Sequence, residues 1–472
     1  MSLGTFEPNE FERVHFIGIG GAGMSGIARV MAERGYQVSG SDLKQSKYTK
    51  TLEGHNIKVF IGHDTEHIKE VDPQVVVIST AIPEKNPELV YAREQGIAVW
   101  QRAKALAYLA RDSYTFAFAG THGKTTSSSM AATTLDRMGL KPSFLIGGIV
   151  DGYDTNGVNG NKEYFVCEAD ESDGSFLHLD PNIVVVSNIE ADHLDHYGSF
   201  EELVETFKKF MASVDDSGAI IVNADQPEVL ALAKSTAKRV VSFGFSDDAD
   251  ARITLGEKDP KNLLAQHFSL SLDGQEYPCA LKASPGIHNV HNAASVLSAC
   301  YAAGLDVEAA AKALSEFSGV RRRFDYVGEV NGATIIDDYG HHPTEIAATL
   351  KAAQGLNYNK IHVIFQPHRY TRTQNLADEF TEAFGYADEV LLLDIFAAGE
   401  TPIPGITSKN LARLINQKHP DTHASYIPDW QDMIAHILES AKPHDLIITM
   451  GAGDITSLGP DIIEAHTRKH GA

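Results

Sequence analysis

The sequence predicts an α/β fold organised as three domains. Three observations carry this. The chain has 472 residues, more than a single hydrophobic core holds. Short apolar strands alternate with helical stretches along its length, the rhythm of βαβ units and parallel sheets. A polar, arginine-rich stretch, "SGVRRRFD" at 318–325, interrupts that rhythm. We place boundaries near 112 and 322, giving segments 1–112, 113–322 and 323–472.

In the first segment the strands are "RVHFIGIG", "YQVSGSD", "IKVFIG", "VVVIST" and "IAVW". In the second they are "YTFAFAG", "YFVCEAD", "IVVVSNIE" and "AIIVNAD", followed by the helical pattern "HNAASVLSACYAAG". The third segment has "ATIIDD", "IHVIFQPH", "EVLLLDIF" and "DLIITMGAG". The spacings differ too much between segments for internal repeats.

Composition excludes several classes. With 43% hydrophobic and 22% charged residues the chain is globular, neither fibrous nor disordered. No apolar run is long enough to span a bilayer, and "MSLGTFEPNEFER" is acidic where a signal peptide is basic, so the expectation is a cytoplasmic protein with no membrane partner. Cys167, Cys279 and Cys300 are far apart and form no C-x-x-C pair, which argues against a disulfide framework or zinc-thiolate site. A formal charge of −23 repels nucleic acid, so no nucleic-acid partner is expected. Anionic ligands must be caught by local devices.

Two such devices are legible. In "AFAGTHGKTTSSSM", residues 117–130, a strand runs into Gly120, Thr121, His122 and Gly123, and Lys124, Thr125 and Thr126 open a helix. Backbone N–H groups there face an anion, Lys124 adds a point charge, and a threonine hydroxyl suits the Mg²⁺ of a nucleoside triphosphate. The strict phosphate-loop pattern wants glycine at 118, where this chain has Phe118. The second device is the turn of Gly18, Gly20, Gly21 and Gly23 with Ser25 and Gly26. Asp42 ends the next strand 24 residues after Gly18. This is close to a dinucleotide fingerprint; it indicates a pyrophosphate and leaves the attached group open.

Acidic strand ends follow. Glu168 closes "YFVCE", and Asp192, His193 and Asp195 follow "IVVVSNIE". Ligands of doubly wound sheets gather at the carboxyl ends of strands, so these groups are expected at the mouth of the 117–126 loop, holding Mg²⁺ between phosphates. In the third segment "IIDDYGHHPTEI" supplies Tyr339, His341 and His342, and "IFQPHRYTRT" supplies His368, Arg369 and Arg372, two arginines suited to gripping a carboxylate.

Taken in order, "GTHGKTT", "EADESDGSF", "NIEADHLDHYGSF", "HNAASVLSA", "RRRFD", "DDYGHHPTEI", "FQPHRYTRT" and "MGAGDI" resemble the Mur ligases of bacterial cell-wall synthesis over essentially the whole chain, and among them the alanine-adding kind. The resemblance implies an N-terminal Rossmann-like domain for a UDP-sugar, a central P-loop-type ATPase domain and a C-terminal Rossmann-like domain for the amino acid. It implies an ATP-dependent ligase that joins L-alanine to UDP-N-acetylmuramate through an acyl phosphate, as a monomer or homodimer, with Mg²⁺ or Mn²⁺. The linkers near 112 and 322 would be hinges for closure.

Carried over by position, Gly120 to Thr126 hold the ATP phosphates, with His288, Asn289 and Asn292 along the adenosine. Thr125, Glu168 and His193 hold metal. Gly21, Ala22, Gly23, Met24, Ser25, Asp42, His63, Ser79 and Thr80 line the UDP-sugar site. Tyr339, His341, His368, Arg369 and Arg372 face the alanine or the reacting carboxylate. Lys124, His193, His341 and Arg369 are the implied catalytic set; for the amine proton, His193, His341 and an amine that enters deprotonated all stay open. One departure stands out: later Mur ligases carry a carbamylated lysine where this chain has Phe207, followed by Lys208 and Lys209, which leaves the completion of a second metal site open.

Overall fold

The computed structural model describes residues 11–259 and 261–470, without the side chains of Asp195 and His470. Every strand anticipated above is present, spread over three sheets that also hold strands not anticipated, among them Ser143–Val150, Val240–Gly244, Asp325–Val330 and His423–Tyr426. The first has five parallel strands in the order Lys58–Ile61, Gln37–Asp42, Arg13–Ile17, Val75–Ile78, Ala98–Gln101. Its central strands Arg13–Ile17 and Val75–Ile78 are almost wholly buried, as expected for parallel strands covered on both faces.

The second sheet has ten strands and is parallel through its middle: Val240–Gly244, Ala219–Asn223, Ile183–Val186, Tyr114–Ala119, Tyr164–Glu168, Ser143–Val150. Thr155–Val158 adds an antiparallel strand beyond Ser143–Val150; at the other edge Ala251–Leu255 still runs parallel to Val240–Gly244, and Gln266–Leu272 turns back antiparallel to it, followed by Gln275–Leu281. Ala251–Leu255 and Gln266–Leu272 place exposed residues between buried ones, so one face of each meets solvent, and the clean βαβ rhythm does not announce them.

The third sheet has six strands in the order Asp325–Val330, Ala333–Asp338, Leu446–Met450, Ile361–Phe365, Glu389–Leu392, His423–Tyr426, with only the first antiparallel to its neighbour.

The chain forms two compact units. Residues up to Glu257 join His267–Leu281 and His291–Ser318 in one; Lys258–Gln266, Lys282–Val290 and the chain from Gly319 make the other. The first two sheets therefore belong to one unit. The helix Ala22–Glu33 packs on the strands Ser143–Val150 and Thr155–Val158 of the second sheet, Asn156 donates its side-chain N–H to the Ala22 carbonyl, and one hydrophobic cluster runs through both. A Cβ on Gly157 would lie 3.0 Å from the Gly26 carbonyl, so this contact rests on two glycines.

Candidate active site

In the first unit the strand Tyr114–Ala119 delivers the chain to Gly120, and the helix Lys124–Arg137 starts four residues later. Gly120 has φ +123°, and a Cβ there would collide with the Ser187 hydroxyl; Gly123 has φ +86°, and its Cβ would lie 2.6 Å from Asn292 Oδ1. Both turns demand glycine for conformation and for space. The loop between them is clamped by the end of the next parallel strand: Thr121 N donates to Asn188 O at 3.1 Å and His122 N to Asn188 Oδ1 at 2.8 Å, while Asn188 Nδ2 donates to His122 O at 3.0 Å. Glu190 N donates to Thr121 Oγ1 at 2.8 Å, and its carboxylate lies 3.3 Å from His122 Nε2.

Lys124 folds back on this loop. Its ammonium donates to Gly120 O at 2.6 Å, to Thr121 O at 3.2 Å and to Glu171 Oε1 at 2.8 Å. Burial opposes the Lys124 charge, but the Glu171 carboxylate outweighs it and keeps the pKa above its ordinary value. Glu171 is itself raised, by burial first, with Lys124 opposing, and its Oε2 has no hydrogen-bond partner. Asp170 is drawn well below the carboxylate range: burial works against this, but Arg102, 2.7 Å away, and Lys124 prevail. Glu168 accepts from Gly147 N at 2.7 Å through Oε1, which leaves Oε2 for another partner. Thr125 and Thr126 occupy the first helical turn, half-buried. Asn292 lies against Gly123 and accepts from Ser127 Oγ at 3.1 Å.

His193 is left-handed, with φ 55°, and bonds within its own turn to Asp192. The Asp195 side chain lies outside the described residues. Phe207 is fully buried against Phe176, ring centroids 5.3 Å apart, so that position offers core packing and no ligand.

The first glycine turn is also built. Gly21 caps the helix Ala22–Glu33, Asp42 Oδ2 accepts from Gly20 N at 2.8 Å, and Ser25 Oγ donates to Ala22 O at 3.0 Å. Met24 is buried beneath the turn. A Cβ on Gly23 would lie 2.8 Å from Arg102 Nη1, so the guanidinium crosses the turn. Thr80, beside Ser79, lines a cavity of about 210 Å³ with Gln101, Arg102, Asp173 and Ser175. His63 sits past the strand Lys58–Ile61, its Nδ1 2.9 Å from Ser41 Oγ.

The family descriptions that match the chain are "Mur ligase family, catalytic domain" over residues 13–114, "Mur ligase middle domain" over 118–300 and "Mur ligase, glutamate ligase domain" over 322–453. A UDP-N-acetylmuramate–L-alanine ligase of Dinoroseobacter shibae is 45% identical over 97% of this chain and 98% of its own length. The chain belongs to the Mur ligase family. Among solved structures, a UDP-N-acetylmuramate–alanine ligase of Thermotoga maritima matches with TM-score 0.80 at 28% identity, over 97% of this chain and 99% of that one. A murein peptide ligase of Psychrobacter arcticus matches with TM-score 0.71 at 25% identity, over 96% and 98%.

In the second unit of this Mur ligase, two separated stretches converge. His341 Nδ1 lies 3.1 Å from Tyr339 O, the His341 and His368 rings are 6.1 Å apart, and Arg372 Nη1 is 3.3 Å from His368 Nδ1. Arg322 and Arg323 both lie over the Tyr339 ring, at 4.8 and 5.1 Å. Arg369 has φ 71° at the start of the helix Tyr370–Asn375, its N–H donating to Phe396 O. Burial foremost, with Arg372 nearby, lowers His341 to about 3; burial, Arg372 and Arg369 lower His368 to about 4. Both rings are therefore neutral at ordinary pH. His288 lies against Gly286, and Asn289 donates to Pro285 O at 2.9 Å, so both shape the start of the helix Ile287–Ala302.

Sequence reasoning missed Glu171, Arg102 and Asn188. Glu171 stood in the quoted "EADESDGSF" but carried no signal apart from its acidic neighbours, and a lone arginine or asparagine at a strand end carries none.

Proposed function

We infer that the chain joins L-alanine to the lactyl carboxylate of UDP-N-acetylmuramate with hydrolysis of ATP to ADP and phosphate, a step of peptidoglycan synthesis carried out in the cytoplasm. The observation that carries this reading is a complete phosphate cradle, Gly120 to Thr126 with Lys124, in a chain that matches alanine-adding ligases almost end to end.

A carboxylate does not accept an amine until one oxygen becomes a leaving group. ATP therefore transfers its γ-phosphoryl group to the lactyl carboxylate, and the alanine amine displaces phosphate from the acyl phosphate. Lys124 leaves its loop carbonyls to neutralise charge on the transferring group, and loop N–H groups hold the β- and γ-phosphates. Gly21 to Ser25 cradle the UDP pyrophosphate, with Asp42 and His63 toward the uridine and Ser79 and Thr80 toward the sugar. Tyr339, His341, His368, Arg369 and Arg372 receive the amino acid, whose carboxylate suits the two guanidiniums. His341, held near 3, is too weak a base for the amine proton. The amine enters deprotonated or is relieved by His193.

Thr125 and Glu168 offer hard oxygen donors suited to Mg²⁺, with Glu168 Oε2 left open by its bond to Gly147. The His193 imidazole suits Mn²⁺ better than Mg²⁺. Bound there, the dication supplies charge neutralisation on the phosphates. Phe207 contributes no ligand.

Phosphate release from ATP tests the reading, offered UDP-N-acetylmuramate with L-alanine, with L-Ala-γ-D-Glu-diaminopimelate, or alone. Release with alanine only is expected. Release with the tripeptide only moves the chain to the murein peptide ligases, and silence in all three rejects ligation.

A further inference from the structure

At the amino ends of three strands of the first unit lies a hollow of about 80 Å³, lined by Arg34, Tyr36, Arg111, Asp112, Ser113 and Lys162. Tyr36 leads into the strand Gln37–Asp42, Ser113 into Tyr114–Ala119 and Lys162 toward Tyr164–Glu168. Both glycine turns stand at the opposite, carboxyl ends of their strands. The six residues of Tyr114–Ala119 alone put about 20 Å between Ser113 and Gly120. The proposed reaction uses nothing in this hollow.

Its lining carries three positive groups and one negative group, in a chain whose formal charge is −23. Arg34, which ends the helix Ala22–Glu33, is fixed from two sides: Nη1 donates to Leu109 O at 2.6 Å and Nε to Asn159 Oδ1 at 3.1 Å. Both acceptors are neutral. Nη2 is buried without a hydrogen-bond acceptor, and the guanidinium carbon lies 5.9 Å from the centre of the Phe165 ring. Among the described residues no carboxylate comes within ion-pair distance of Arg34 or of Lys162. Arg111 has one: its Nε is 3.3 Å from Asp112 Oδ2, but that side chain is 79% exposed, and water screens most of its charge.

The Arg34 pKa records the imbalance. Burial foremost, then Arg111, push it down, with Tyr36 and Asp112 opposing. A guanidinium nevertheless keeps its proton in a protein, so Arg34 is a part-buried cation whose field the protein does not cancel. The other two charges are held beside it. Arg111 lies over the Tyr108 ring at 3.8 Å and donates through Nη1 to Tyr108 O. Lys162 is pinned through its backbone, since Ser113 Oγ donates to its carbonyl at 2.6 Å. A hollow of this volume holds a few water molecules or one tetrahedral oxyanion, and is too small for a nucleotide. Guanidinium and ammonium groups give such an anion N–H donors and opposite charge together.

We propose that this hollow binds a phosphate group, with Arg34, Arg111 and Lys162 as its three charges. They come from the end of the helix Ala22–Glu33, the segment that leaves the helix Arg102–Ala110 for the second sheet, and the turn before Tyr164–Glu168. A bound phosphate therefore ties the first sheet, the linker and the second sheet together. The inference does not depend on the ligation reading. The phosphate is either the free ion or the terminal group of a phosphomonoester.

The experiment is calorimetric titration of inorganic phosphate and of glycerol 3-phosphate into the full chain, into Lys162→Asn and into Arg111→Gln, with chloride at matched ionic strength as the screening control. Asparagine is chosen because Lys162 has φ 69°, a left-handed conformation that asparagine tolerates. Wild type should bind one phosphate saturably, and each variant should bind it roughly tenfold more weakly, the effect of removing one charge-assisted hydrogen bond. Weakening of inorganic phosphate alone supports the proposal with the free ion as ligand; parallel weakening of glycerol 3-phosphate supports it with a phosphomonoester. Lys124→Ala, which alters the other anion cradle, should leave this binding intact. Binding lost in Lys124→Ala and kept in the two variants overturns the proposal, as does wild-type behaviour that chloride reproduces. Should Lys162→Asn fail to fold, Arg111→Gln decides alone, and an unchanged affinity there overturns the proposal.

Discussion

Lys124, at the end of the Gly120–Gly123 turn, and Glu171, past the strand Tyr164–Glu168, are joined 2.8 Å apart, with the carboxylate side chain 3% exposed and the lysine 17%. The ammonium proposed to serve the transferring phosphoryl group is thus held by an internal anion and two carbonyls. Phosphate oxygens compete for the same proton donors.

Lys124→Ala should abolish ATP-dependent product formation while UDP-sugar binding survives. The two proposed anion cradles lie on different sheets, each with its own glycine turn, so one can fail alone. Loss of both ligands together, measured by calorimetry, would count against two separate sites.

Glu171→Gln removes the partner of a buried cation. Breaking such a pair costs about 3 kcal/mol or more, so the melting temperature of the nucleotide-free chain should fall. ATP supplies the missing negative charge, and its stabilising thermal shift should be larger in the variant than in wild type. An equal or smaller shift would mean that Lys124 does not exchange Glu171 for phosphate.

Gly120→Ala should cripple ATP binding. The residue sits at φ +123°, and the added methyl group meets Ser187 and the Asn188 backbone, the segment that clamps the loop. The strain and overpacking together are worth about 2–4 kcal/mol. The expected outcome is a rise in KM for ATP of at least tenfold, with the KM for UDP-N-acetylmuramate little changed.

The pH dependence of kcat/KM for alanine should show no limb from His341 or His368 between pH 5.5 and 8, because burial and neighbouring arginines hold them near 3 and 4. A limb near pH 6.5 that vanished in His341→Asn would contradict this.

His362 carries a separate pH signature in the second unit. It is buried between Glu389 Oε2, 2.6 Å from Nδ1, and Asp445 Oδ2, 3.3 Å from Nε2. Burial lowers its pKa, but the two carboxylates prevail and raise it above 6.5. A raised folded value means the stabilisation is complete below pH 6.5 and is lost as pH rises through the folded value. The wild-type melting temperature should therefore decline above neutral pH more steeply than that of His362→Gln. Parallel curves would reject the ion-pair account.

The legible part of this protein was whatever a local pattern encodes. Apolar runs bounded by glycine and acidic residues located the principal parallel strands, because a strand buried on both faces has to be apolar throughout. "GTHGKTT" located the glycine turn that opens the helix Lys124–Arg137, because a tight turn before a helix needs glycine. The half-exposed edge strands after Ala251 gave no such signal. Nor did the sequence foretell that the first two sheets share one compact unit; that depends on Gly26 and Gly157 meeting across 131 residues of chain.

By itself, the sequence determined the family, the three sheets and the residue types available to each strand end, since these follow from periodicity and from motifs within a dozen residues. Only the tertiary structure decided protonation and partnership: that Lys124 answers to Glu171, that Arg102 crosses the Gly23 turn to Asp170, that burial and Arg372 lower His341, and that the buried Glu88 carboxylate takes the Ser41 hydroxyl proton. Each of these depends on burial and on a distance of a few ångströms between residues far apart in the chain, and electrostatic energy in a poorly hydrated interior is governed by those two quantities.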